Sequence, residues 1–182
     1  MGKSLAMAEF TTVSTGVQAA DIMVKTAEVK IIEAQVVCPG KYIILIEGEL
    51  SAVKASIDTV KSRFPQKLID SFVLGNPHES IFPAIYGAAE VTDKRALGVL
   101  ETYSAASIIL AADYAAKTSE VKLIELRIAR GMCGKSYMLL TGEIAAVEAA
   151  IEKAKAEVGA GTMFLDSSVI ANPDEKIWNT IV

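Results

Sequence analysis

The chain has 182 residues, 52% of them hydrophobic and 22% charged, with two cysteines, one histidine and a formal net charge of −4. A pI near 5.1 without any Lys/Arg cluster argues against a nucleic-acid partner, and no apolar run approaches the ~20 residues that span a bilayer, so no membrane partner is expected. The opening MGKSLAMAEF lacks the apolar core of an export leader, which with only two cysteines points to a reducing cytosol.

Leu5–Thr11 reads as a strand with a β-leaning end, followed by a Ser14/Thr15 cap and a helix to about Glu28. Val17, Ala20, Val24 and Ala27 recur at helical spacing and predict its apolar face. Val29–Val37 is a strand, Cys38-Pro39-Gly40 a turn, and Lys41–Glu47 a second strand of nearly continuous apolar character. Gly48 ends it, and a helix to about Arg63 turns Val53, Ile57 and Val60 inward. Leu68–Leu74 is a further strand, and Asn76-Pro77 opens a short helix reaching Ile85. After a polar linker, Gly87–Arg95, the pattern returns: Leu97–Tyr103, Ala105–Ser119, Val121–Arg130, Lys135–Gly142, Ile144–Glu157, Met163–Ile170 and Pro173–Ile181.

The return is literal. Leu5–Val37 and Leu97–Ala129 share 12 of 33 positions without a gap, among them Glu9/Glu101, Asp21/Asp113, Lys25/Lys117 and Glu28/Glu120. Two residues out of step, GKYIILIEGELSAV answers GKSYMLLTGEIAAV, and Asn76-Pro77 answers Asn172-Pro173. A period of about 90 residues exceeds the ~20–50 of solenoids, so two domains stand in tandem, at 1–90 and 95–182. Each has the order β-α-β-β-α-β of the ferredoxin-like α+β sandwich, a fold that by itself assigns no function. Units this small with a mean hydropathy of +0.38 leave apolar surface for partners to cover.

Few residues carry chemistry. Read from the residues alone, Cys38 is either a small buried hydrophobe or one thiol of a larger ligand set. Cys133 is a spare thiol, a second ligand, or a side chain turned against Met132. His78 reads as a surface or edge residue, and Trp178, which aligns with Phe82, as a cap on the core. The repeated carboxylates face no recognisable cleft, and helix–strand capping or subunit contacts account for them. With no phosphate loop, Ser/His/Asp set or CxxC motif, the chain does not read as an enzyme.

The phrase Ala96-Leu97-Gly98-Val99-Leu100-Glu101-Thr102, with Ala111-Ala112-Asp113 and Lys117 after it, resembles the opening of bacterial microcompartment (BMC) shell domains. Glu9, Ala19-Ala20-Asp21, Met23-Val24-Lys25 and Glu28-Val29 hold the same places in the first copy, and the likeness runs through Gly40-Lys41 and Gly48-Glu49 to Asn76-Pro77. Both copies begin at the usual first strand, so the order is unpermuted and similar to that of tandem, trimer-forming members.

The resemblance implies a homotrimer of pseudohexameric shape that tiles with other shell proteins around enzymes in the cytoplasm. It implies a central pore lined by Cys38, Pro39, Gly40 and Lys41 and by Gly131, Met132, Cys133 and Gly134. In tandem members of this kind a cysteine in that loop joins its two symmetry mates to hold one iron–sulfur cluster, here expected to be 4Fe–4S on Cys38. A cluster there would serve electron transfer or cluster delivery across the shell, with an encapsulated or cytosolic redox protein as partner. Lys25, Lys117, Asn76 and Asn172 are implied at the tile edge, although the family usually carries arginine where this chain has the two asparagines. Two other readings stand beside this one: a shell trimer with a plain metabolite pore, and a ferredoxin-like regulatory protein that binds a small molecule.

Overall fold

A computed structural model describes residues 4–159 and 163–181. The first copy runs β1 (Ser4–Phe10), α1 (Val13–Thr26), β2 (Val29–Val37), β3 (Lys41–Gly48), α2 (Leu50–Arg63), β4 (Leu68–Leu74) and α3 (Ile81–Ile85). The second runs β5 (Ala96–Thr102), α4 (Ala105–Thr118), β6 (Val121–Arg127), β7 (Ser136–Gly142), α5 (Ile144–Gly159), β8 (Phe164–Ile170) and α6 (Glu175–Ile181). Each copy forms a four-stranded sheet, in the orders β2-β3-β1-β4 and β6-β7-β5-β8. All recorded strand pairs are antiparallel, and the expected α+β sandwich is what the chain builds.

Packing gathers the chain into two compact units. One holds the residues up to Pro77 with Ser104–Ser107 and Ala129–Gly134, and the other holds His78–Tyr103, Ile108–Ile128 and Lys135 onward. In the first unit the central strand β1 is buried along its whole length. Ala6, Ala8 and Phe10 share one face of it, because alternate residues of a strand point the same way. They pack in one cluster with Ile44 and Ile46 of β3, Met23 of α1 and the expected inward row Val53, Ile57 and Val60 of α2. Burying each of the larger aliphatic chains contributes about 1.5–3 kcal/mol. In the second unit Trp178 is buried with Leu97, Ile124 and Leu139, so it closes a core as the sequence suggests.

Helix α1 departs from its periodicity. Ala20 is buried, but Val17 and Val24 are 53% and 42% exposed, and the buried row is Gly16, Ala19, Ala20 and Met23. The cause is steric. A Cβ on Gly16 would lie 2.4 Å from Cβ, Cγ and Cδ1 of Tyr42, so the helix turns its smallest residue to that ring. In the second copy the corresponding residues are Ile108 and Ser136, with the bulk moved from strand to helix.

Other boundaries shift for local reasons. The α1 cap is Thr12, whose extended backbone (φ −137°, ψ 146°) continues from the strand, so Ser14 and Thr15 sit inside the first turn. Strand β6 stops at Arg127 rather than Arg130, because Ala129, Gly131, Cys133 and Gly134 all take positive φ and turn the chain out of the sheet. The short helices begin at Ile81 and Glu175, some residues beyond the Asn-Pro pairs expected to open them.

Gly16→Ala is expected to cost about 1–3 kcal/mol through overpacking against Tyr42. The check is a lower urea midpoint at unchanged slope.

Candidate functional site

The β2–β3 turn and the loop after β6 come together in the first unit. Cys38 is half-buried, while Pro39 and Gly40 are exposed. The turn closes with the Gly40 amide donating to the Val37 carbonyl at 2.9 Å. Gly40 has φ +113°, which a residue with a side chain rarely adopts. The Cys38 amide donates to the carbonyl of Ala129 at 3.2 Å, and Lys41 Nζ donates to the carbonyl of Gly134 at 3.2 Å. Gly134 is required there, since a Cβ would lie 2.9 Å from Lys41 Cε and 3.0 Å from the Cys38 carbonyl oxygen. The Arg130 guanidinium pairs with the Glu33 carboxylate and fixes the start of the second loop. Met132 is half-buried, and Gly131 and Cys133 are exposed.

Beneath the loops lies a buried carboxylate. Glu9 is fully buried, and its Oε1 sits 2.9 Å from Nζ of Lys41, whose side chain is 18% exposed. Its other oxygen accepts the amide of Ala105, the first residue of α4, at 2.8 Å. Asp70 stands opposite Glu9 in the β1–β4 register. Its Oδ1 accepts the Ser71 amide, while Oδ2 accepts the hydroxyls of Ser104 and, at 2.5 Å, of Ser107. The Ser104 hydroxyl in turn accepts the Ser107 amide at 2.9 Å. Two carboxylates and a serine cap therefore hold one helix start, where backbone amides and the helix dipole favour negative charge. The repeated carboxylate is thus a capping group in its first copy. Lys41, expected in the pore lining, turns its amine to Glu9 and to the second loop.

The expected edge residues have other partners. Lys25 and Asp21 form an exposed i,i+4 pair at 2.7 Å. Lys117 pairs at 2.6 Å with the nearly buried carboxylate of Asp113, whose other oxygen accepts the His78 amide at 2.8 Å. The His78 ring bonds to the Ser80 hydroxyl at 2.8 Å. Asn76 and Asn172 are exposed. Elsewhere burial, then a hydrogen bond to Glu125, pushes the Tyr137 hydroxyl up to about 12. Among the described residues of a single chain, no three of His, Cys, Asp and Glu gather as metal donors.

Asp70, Ser104, Ser107 and the Arg130–Glu33 pair escaped sequence reasoning. A signal was present in the repeat. Asp70 and Asp166 follow the two strands in step, and hydroxyls at Thr12/Thr15 and Ser104/Ser107 open both main helices three residues apart.

The BMC domain model matches residues 4–77 and 96–173. The chain belongs to the BMC domain family. It is 36% identical over 182 residues to the bacterial microcompartment shell protein PduT of Citrobacter freundii, covering 100% of this chain and 99% of that one. The crystal structure of a microcompartment protein from Desulfitobacterium hafniense superposes with a TM-score of 0.84 at 40% identity, covering 98% and 99% of the two chains. The carboxysome shell protein CsoS1 of Prochlorococcus marinus is 32% identical over 88 residues, which is 47% of this chain and 85% of that protein.

Lys41→Met leaves Glu9 buried without its cation and is expected to destabilise the protein by about 3–5 kcal/mol. Adding Glu9→Gln should recover part of that loss, a coupling read from a double-mutant cycle of denaturant unfolding.

Proposed function

We propose that this BMC protein is a structural, non-enzymatic tile of a bacterial microcompartment shell in the cytoplasm, assembled as a three-chain ring of six BMC domains. The full-length likeness to a shell protein of the same tandem length carries the reading. Two domains per chain give six positions in three chains, and the two braced loops of each chain then stand around one axis. Other shell proteins are its neighbours in the sheet.

We further propose that Cys38 of each chain contributes one thiolate to an iron–sulfur cluster on that axis. The residues fit such a group. The Cys38 thiol is not sealed in the core, its turn is exposed, and both flanks are tied down through the Ala129 and Gly134 carbonyls. A single chain offers too few soft donors, so the ligand set has to come from several chains. When bound, the cluster supplies one-electron chemistry, or is itself the cargo handed across the shell to a redox protein. The chain's own part is to hold the thiol, through the Cys38 amide and the Lys41 amine, while Gly40 and Gly134 keep the loops close. Cys133, exposed on its positive-φ turn, is read as a thiol outside this set.

Cys38→Ser should lose iron, sulfide and visible absorption after anaerobic reconstitution, yet keep its assembled mass, while Cys133→Ser keeps all of them. Parent protein that reconstitutes no more iron than Cys38→Ser would leave a plain pore for metabolites.

Lys25 and Lys117 occupy equivalent helix positions and are proposed at the tile edge. Lys25→Ala or Lys117→Asp should weaken sheet formation modestly while rings stay intact, since exposed ion contacts are individually small. Electron micrographs showing parental tiling by both variants would remove the assignment.

A further inference from the structure

The two thiols of this chain are carried by two loops that the fold ties together. Cys38 sits in the β2–β3 turn and Cys133 in the loop after β6, and both belong to one compact unit although they stand far apart in the sequence. They are the only cysteines of the chain, both are free thiols, and neither is sealed in a core: Cys38 is half-buried and Cys133 exposed.

The second loop meets Cys38 on both sides of its Cα. The Cys38 amide donates to the Ala129 carbonyl at 3.2 Å, and the Cys38 carbonyl oxygen lies 3.0 Å from where Gly134 would carry a Cβ. Cys133 lies on the stretch between those two anchors and is the direct neighbour of the second. Neighbouring Cα atoms are about 3.8 Å apart and a disulfide asks for Cα atoms about 4.4–6.8 Å apart, so an anchor one residue from Cys133 brings the pair within short reach of bonding. The strands beneath the first turn are fixed, since Val37 pairs with Lys41 at the end of the β2–β3 ladder. The turns themselves have room. A Cβ on Gly40 or on Gly131 would meet nothing within 4 Å, and both glycines, like Gly134, have positive φ. Small shifts of these turns displace no packed atoms, and glycine tolerates the backbone change.

We infer that Cys38 and Cys133 of one chain form a reversible disulfide, with a low-molecular-weight disulfide of the glutathione type as oxidant. Exposed Cys133 meets the oxidant first. Its thiolate attacks one sulfur, forming a mixed disulfide and releasing one small thiol. The Cys38 thiolate then attacks the Cys133 sulfur, the internal S–S bond forms, and the second small thiol leaves. Two protein thiols are oxidised, the small disulfide is reduced to two thiols, and the two protons pass from the protein to the leaving thiolates. Reverse exchange with a reduced thiol restores both cysteines. In a reducing compartment such a bond is transient and reports redox state rather than holding the fold. A cysteine ligates metal as its thiolate, so the bond withdraws Cys38 from the metal-binding set. That consequence rests on the cluster reading above, while the bond itself does not.

Exposure of the full chain to glutathione disulfide tests the inference. Parent, Cys38→Ser and Cys133→Ser are incubated with it, quenched by alkylation and weighed by mass spectrometry. The parent should lose two hydrogens, keep no glutathione, show no free thiol and yield one linked peptide pair joining Cys38 to Cys133. It should run as a single chain on a non-reducing denaturing gel, and dithiothreitol should return both thiols. Each serine variant should instead hold glutathione on its remaining cysteine. Parent that keeps glutathione on both cysteines, or that links Cys38 to the same residue of another chain, would overturn the inference. Parent already loaded with a cluster, its Cys38 engaged, should take glutathione on Cys133 and form no internal bond. Reduced parent that takes up no more iron than Cys38→Ser removes the cluster reading and leaves the disulfide standing.

Discussion

A carboxylate with no water around it has to be answered on both oxygens, and that requirement organises this protein. Glu9 sits next to the end of a central strand, fully buried, with the Lys41 ammonium on one oxygen and the first amide of α4 on the other. Removing a charge from water is costly unless hydrogen bonds and an opposite charge compensate it. The group is therefore tolerable only where a strand, a neighbouring strand and a helix start from the other copy meet in one arrangement. Asp70 adds a second anchor to the same helix turn through Ser104 and Ser107. The ion pair fixes Lys41, Lys41 fixes the Gly134 carbonyl, and the loop bearing Cys38 is held as a consequence.

Duplication of a small domain explains why the two halves differ where they do. Cores of the two copies exchange bulk at matching places, as Gly16 with Tyr42 against Ile108 with Ser136 illustrates. The loops diverge more, because they are tied by hydrogen bonds to each other rather than by packing to a sheet. The second loop is longer by two residues and uses four positive-φ positions, so its cysteine lies on a different part of the turn from Cys38. A tandem chain can thus give its two loops different chemistry, which a chain with a single domain cannot.

Much of this was legible in the sequence because it was written twice. Repetition of Glu9, Asp21 and Lys25 ninety-odd residues on fixed the domain count and order, and the strand periodicities fixed the sheet. Val53, Ile57 and Val60 turned inward as spaced, since beyond them α2 offers only Leu50 at its start and two alanines as apolar residues. On α1 two apolar rows compete, and hydrophobicity alone favours the wrong one; the winner is decided by a glycine fitting under Tyr42, a contact between residues 26 positions apart. The end of β6 was misplaced because Ala129 and Cys133 adopt positive φ without being glycine, a cost met by the bonds their loop makes to Cys38 and Lys41. The carboxylate junction was invisible for a simpler reason. Its partners, Asp70 with Ser104 and Ser107, are more than thirty residues apart, and short polar side chains of this kind occur on any surface.

The central claim is that the buried Glu9 carboxylate, answered by Lys41 and by the start of α4, holds the loop that bears Cys38. A side-chain-resolution structure of Lys41→Met reads it directly, at the separation of the Cys38 turn from the Gly134 carbonyl. The account predicts that the two loops come apart while the sheet keeps its register. Loops that stay where the parent has them would contradict it.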